Sequence, residues 1–292
     1  MNRNYNEFSI PYLPLLIQLT CCESVQLPDF LGSTLRGAVG WALLSNKPLY
    51  KYLFDNGRLT EGKQDIVHPY VIVPPPYGGI YKAGDELFFQ ILLIGDASGF
   101  AMSLVHTLAQ KQCLALGSER KKFTISKILQ GNRLSPIWLP GTIYPSAVKT
   151  DVICCQKKAA YQNCSIQLLT PLRIRRDGEL LRQIDFPTII RNISRRIIEL
   201  TDRYGGHANR KELTELCRCS LNIQMISSSL KVREMQRYSS RKKDKMDFDG
   251  LMGALMFQGN LESYRSLLYA AQILHIGRNV TMGFGQIKVA IW

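Results

Sequence analysis

The order of hydrophobic periodicities constrains this chain most, because it runs the same course twice. Residues 12–20 are an apolar, β-prone run, and over residues 30–45 Leu31, Leu35, Val39, Ala42 and Leu43 recur with helical spacing. Asp29 stands where an N-cap is expected. Residues 47–63 are basic and irregular. Residues 66–73, closed by a proline run, and 86–94 then read as strands, 100–113 as a helix and 123–129 as an alternating strand. The order is β-α-β-β-α-β.

The second half repeats it. Residues 165–170 read as a strand. Residues 186–204 read as a long helix with Ile189, Ile190, Ile193, Ile197 and Leu200 on one face. Beyond a less regular segment, 211–219, come strands at 221–233 and 251–257, a helix at 262–275 and a last strand at 286–291. Two copies of the split βαβ unit predict an α+β chain of tandem ferredoxin-like (RRM-like, βαββαβ) domains with a basic cleft between them. Pro136, Pro140, Gly141 and Pro145 cluster where the halves join, which gives domains over 1–140 and 141–292. Such a fold serves many functions, RNA binding among them.

Charge narrows the partner. Lysine and arginine total 37 against 23 acidic residues, a formal net charge of +14. That excess points to a polyanion, and nucleic acid is the expectation. No apolar run reaches the ~18 residues of a membrane span, and Met1 to Tyr5 lack the apolar core of a signal peptide. A cytoplasmic protein without a membrane partner is expected. The eight cysteines form no C-x-x-C pair, and Asp and Glu are scattered. Reduced thiols, no bound metal and no cofactor are therefore expected.

Two stretches carry candidate chemistry. Residues 237–245 read RYSSRKKDK, where Arg237, Tyr238, Ser239, Arg241, Lys242 and Lys243 combine cationic, aromatic and hydroxyl groups suited to an RNA backbone and an unstacked base. Further arginines, Arg191, Arg195, Arg196 and Arg203, lie on the long helix, where a solvated face explains them as well. Residues 274–287 join a helix to a strand and contain Gly277, Arg278, Gly283 and Gly285 beside His275. Glycine permits positive φ, so this loop is either a tight turn or a set of N–H groups turned toward a phosphate. His68, His106 and His207 stand where structural or exposed roles are expected, which leaves His275 as the histidine for acid–base work.

Taken in order, several segments resemble the CRISPR repeat-processing endoribonucleases, the sixth family of Cas proteins within the RAMP superfamily. LGSTLRGAVGWAL at 31–43, followed by Tyr50 and Leu53-Phe54, is similar to the family's first helix. HPYVI at 68–72 and TPLR at 170–173 match its strand motifs, and RYSSR at 237–241 with GLMG at 250–253 matches its central segments. HIG at 275–277 and GFG at 283–285 match its glycine-rich loop. The resemblance spans nearly the whole chain. It implies metal-independent cleavage within repeat RNA by the 2′-hydroxyl beside the scissile phosphate, leaving a 2′,3′-cyclic phosphate. Retention of the mature guide RNA and association with other Cas subunits are also implied. With the motifs in place, the glycine loop reads as a backbone clamp for RNA phosphate.

One position departs from the pattern. Many relatives carry a histidine as general base where this chain has Trp41, and indole cannot take a proton. Three accounts stay open. Another group acts, from Tyr50, Lys51, Lys47 or His275; or Arg36 and Arg278 suffice by alignment and charge; or the chain is a guide-RNA-binding subunit that does not cut.

Overall fold

The computed structural model describes residues 7–55, 67–154, 160–239 and 244–292. The chain divides into two compact units. Residues 10–153 with 199–207 form the N-terminal unit, and the described residues up to 9, with 154–198 and 208–292, form the C-terminal unit. The join thus falls near residue 153 rather than 140. The physical reason is pairing: the Pro136–Leu139 strand bonds to Lys121–Gln130, and Asp151–Cys154 bonds to Phe8–Cys21, so both stay with the first sheet.

In the N-terminal unit the Phe8–Cys21 strand is central. Glu86–Ile94 and Lys121–Gln130 flank it antiparallel, with Ile17 opposite Phe89 and Ile128, and Tyr70–Val73 lies outside Glu86–Ile94. This is the order of a ferredoxin-like sheet. The helices α1 (Gly32–Leu43) and α3 (Ala101–Lys111) bring Leu35, Val39, Leu43, Leu104, Val105 and Leu108 into one core with Leu15, Ile17 and Leu19. The period-2 and period-3.6 patterns meet there, because each element has a single apolar face to bury.

Asp29 is not the N-cap of α1. Leu31 takes that place with no side-chain hydrogen bond. The basic stretch after α1 holds a second helix, α2 (Lys47–Phe54), capped by Asn46, whose Oδ1 accepts from Leu49 N–H at 3.3 Å. The Asn46 amide also donates to Ser103 Oγ (3.0 Å) and Thr107 Oγ1 (3.1 Å), which ties α2 to α3. The sequence reading missed α2 because its charges mask a short amphipathic helix that begins with Pro48 in its first turn.

The C-terminal unit repeats the topology. Asn163–Leu172 is central between Gly250–Gln258 and Ile287–Ile291, with Gln224–Ser228 at the edge beyond Gly250–Gln258. The predicted 221–233 strand is two pieces, Gln224–Ser228 and Lys231–Arg233, both paired with Gly250–Gln258. The helix α4 (Phe186–Tyr204) buries Ile189, Ile190, Ile193, Ile197 and Leu200. Phe186 meets Phe257 edge-on at 5.2 Å, which seats α4 on the sheet. The uncertain 211–219 segment is the helix α5 (Arg210–Cys219), and α6 (Arg265–Leu274) precedes the glycine loop. Gln236–Ser239 and Asp244–Asp247 pair as a hairpin. Arg241, Lys242 and Lys243 lie outside the described residues.

Candidate functional site

In the N-terminal unit, α1, α2 and the Tyr70–Val73 strand converge on Phe54. Gly40 of α1 makes room for it: a Cβ there would stand 3.2 Å from the Phe54 ring. Tyr50, one turn earlier on α2, stacks on Phe54 at 5.6 Å and 11°, and Tyr70 stacks at 4.8 Å. The Arg36 guanidinium lies 5.2 Å from the Phe54 centroid, and its Nε donates to Tyr70 Oη at 2.9 Å. Tyr70 is 1% exposed. Burial pushes its phenol up to about 12, against an opposing pull from Arg36, so it stays neutral and accepts that bond at any ordinary pH.

The aromatic stack fixes the stem and one N–H of Arg36. The four remaining guanidinium donors are the ones suited to a phosphate. Tyr50 and Arg36, separate in sequence, pack on the same ring. Lys51 and Lys47 are exposed on α2. His68 donates from Nδ1 to Leu53 O at 2.9 Å, since a carbonyl can only accept, and it meets Tyr70 edge-on at 5.8 Å. Sequence reasoning quoted Phe54 and Tyr70 without giving them a role. The i, i+4 spacing of Tyr50 and Phe54 was the signal available once residues 47–54 are read as helical.

The glycine loop is built differently from the expectation. His275 ends α6 with φ +57° and ψ 165°, a region that L residues seldom occupy. Its Nδ1 donates to Phe284 O at 3.1 Å, and the ring is 1% exposed. Burial, with Arg196 adding to it, holds its pKa down at about 3 against the pull of the carbonyl bond. His275 therefore clips the two ends of the loop together and is sealed from any RNA. The expected acid–base role does not fit a ring buried and bonded in this way, and His275 is a structural group. Arg196 donates from Nε to Leu274 O at 2.8 Å and closes the C-terminus of α6, so it is not on the solvated face of α4.

The glycines serve packing. A Cβ at Gly277 would stand 2.6 Å from Arg173 O, and one at Gly285 would collide with Ile276 O. Gly283 and Gly285 are buried. Their N–H groups bond to Val280 O (2.8 Å) and Pro171 O (3.0 Å), and Arg278 N–H bonds to Arg173 O (2.8 Å). Thr170 Oγ1 donates to Gly283 O at 2.7 Å and accepts from Gln286 N–H at 2.9 Å. The backbone clamp expected at Gly283, Gly285 and Arg278 does not fit this loop, because Gly285 and Arg278 donate to the TPLR segment and Gly283 donates to Val280 O within the loop. The exposed Arg278 side chain is what the loop offers a phosphate. Arg237, Tyr238 and Ser239 lie on one strand of the Gln236–Ser239 hairpin. Among the described residues no group of three His, Cys, Asp or Glu is placed to hold a metal ion, and no helix is long and apolar enough to cross a membrane.

Comparison with known proteins agrees with this architecture. The chain superposes on the product complex of a Thermus thermophilus Cas6 with a TM-score of 0.65 at 15% identity, covering 96% of this chain and 100% of that one. A second Cas6 product complex gives 0.57 at 16% identity, covering 96% and 99%. A complex in which Cas6 is joined to RT and Cas1, with Cas2, gives 0.60 at 9% identity, covering 97% of this chain and 46% of that one. An uncharacterized protein of Archaeoglobus fulgidus is 23% identical over 294 residues, 90% of this chain and 92% of that protein. Residues 166–287 match the family model of the CRISPR-associated endoribonuclease Cas6, and residues 10–150 match a model of an N-terminal domain. The chain is similar to Cas6 in fold and, over residues 166–287, in sequence pattern.

Proposed function

We propose that this chain cuts CRISPR precursor RNA within the repeat, using the RNA's own 2′-hydroxyl as nucleophile and no metal ion. In-line attack on the adjacent phosphorus breaks the bond to the 5′-oxygen and leaves a 2′,3′-cyclic phosphate and a 5′-hydroxyl. The protein's tasks are to align the nucleotide, take the 2′-OH proton, neutralise the phosphorane and return a proton to the leaving oxygen.

The observation that carries this reading is the preset Arg36: Nε is held by Tyr70 and the guanidinium by Phe54. A planar cation fixed in this way can meet a phosphate with two parallel bonds and little loss of side-chain freedom. Tyr50, on the same aromatic stack, and Lys51 and Lys47, exposed on α2, are the proton-transfer candidates that remain once His275 is removed. Arg237, Tyr238, Ser239, Arg278 and the 241–243 segment would hold the RNA backbone, in keeping with the +14 charge.

The test is a labelled cognate repeat RNA incubated with the protein in EDTA under single-turnover conditions. Cleavage that yields a cyclic phosphate, and that a 2′-deoxy substitution at the scissile position blocks without loss of binding, is the expected result. A cut that requires added Mg²⁺, or no affinity for RNA, defeats the proposal. A second reading, a guide-RNA-binding subunit that does not cut, is favoured by Trp41 at the usual base position and by the burial of His275. It predicts tight binding with no cutting in the same assay. Two of the similar structures are product complexes, which supports retention of the guide, and the one containing Cas1 and Cas2 supports Cas partners.

A further inference from the structure

Trp41 is the residue whose placement the cleavage chemistry leaves unexplained. It is 63% exposed on α1, an unusual setting for the largest apolar side chain. It is nevertheless held in place: the Arg120 guanidinium lies over its ring at 5.0 Å. Arg120 reaches it from a tight turn with φ +54°. Positions 37 and 41 of α1 and position 44, its C-cap, share one face by their spacing of four and three. Gly37 has nothing within 4 Å of where a Cβ would stand, and Leu44 is also exposed. The helix therefore presents a bare step at Gly37, a flat indole with a cation on one face, and an apolar border.

We infer that Trp41 and Arg120 form a stacking platform for one unpaired nucleobase of a single-stranded RNA. The inference rests on the RNA-binding reading above and adds a contact to a base rather than to a phosphate. An aromatic ring backed by a guanidinium suits any base, because every base has a π-face to stack and the cation polarises the ring. A protein side chain could also cover an exposed indole. The choice of RNA follows from charge: Arg120 beside the ring and a chain of net charge +14 favour a polyanion over another basic protein.

The experiment measures binding of the full chain, as wild type, Trp41→Ala and Trp41→Phe, to two fluorescent probes by anisotropy. One is a mixed-sequence single-stranded RNA 12-mer, and the other an abasic RNA of the same length. Trp41→Ala is expected to weaken the base-bearing RNA about 5- to 150-fold, the range for loss of one base stack, with an unchanged salt slope. Trp41→Phe should retain most of that affinity, and all three proteins should bind the abasic probe alike. RNA should also quench tryptophan emission in the wild type, an effect lost in Trp41→Phe although Trp138 and Trp292 remain. Equal binding of the base-bearing probe by wild type and Trp41→Ala overturns the platform alone. A parallel loss on both probes also overturns it, since stacking cannot act on an abasic strand. Failure of the wild type to bind either probe removes the RNA reading as well.

Discussion

Acidification should act on this protein through His275. The ring titrates near 6.5 in an unfolded chain and at about 3 when buried against Phe284 O and Arg196. Between those values the unfolded state binds one more proton than the folded state. Stability from this group is therefore fully present above about pH 6.5 and is lost as pH falls toward 3. The slope is roughly 1 kcal/mol per pH unit, so moving from about pH 7 to about pH 5 costs roughly 2 kcal/mol. His275→Asn separates this effect from the titration of the carboxylates. The Asn amide keeps a donor for Phe284 O, tolerates positive φ better than most residues and does not titrate. Urea unfolding of both proteins at the two pH values is the assay. The wild type should lose roughly 2 kcal/mol more than His275→Asn. An equal pH dependence in the two proteins would refute the buried, neutral imidazole. Single-turnover cleavage at neutral pH gives an independent arm: His275→Asn should keep its rate within a few-fold, whereas removal of a general base would cost ~10²–10⁴.

Three further outcomes are expected. Tyr70→Phe removes the acceptor for Arg36 Nε with almost no change of shape, so single-turnover cleavage should fall about 10-fold or more while RNA affinity stays within about threefold. An unchanged rate would show that Tyr70 does not position Arg36. Gly285→Ala meets both a φ of +68° and the Ile276 carbonyl, and should destabilise the chain by more than about 3 kcal/mol in thermal or denaturant unfolding. Asn46→Ala removes the cap of α2 and two bonds to α3; it should cost about 1–3 kcal/mol and lower the cleavage rate by loosening Tyr50 and Phe54.

The duplicated fold was legible because strands with one buried face and amphipathic helices write their periods directly into the chain. Residues 86–94 and 186–204 keep their predicted bounds as Glu86–Ile94 and Phe186–Tyr204. Local signals failed where a cap or a short helix depended on partners elsewhere. Asp29 looked like a cap but Leu31 holds that place, and α2 forms partly because Asn46 finds Ser103 and Thr107 on α3. The join between the halves also moved, since hydrogen bonding to the first sheet, and not proline content, decides which unit residues 136–153 belong to.

Periodicity and side-chain type alone fix the two βαββαβ units, the basic character and the ordered motifs that resemble those of the Cas6 family. The sequence could name Arg36, Tyr50 and His275 as chemistry-bearing residues, because side-chain type is written residue by residue. Burial, direction and pairing are properties of the packed chain, and only the tertiary structure decided them. It withdrew His275 into the core, turned the Arg278 and Gly285 N–H groups onto the TPLR segment and set Arg36 against Phe54 and Tyr70. A histidine and an arginine with similar sequence-level claims thus part ways: one is desolvated to neutrality, and the other is braced with donors to spare.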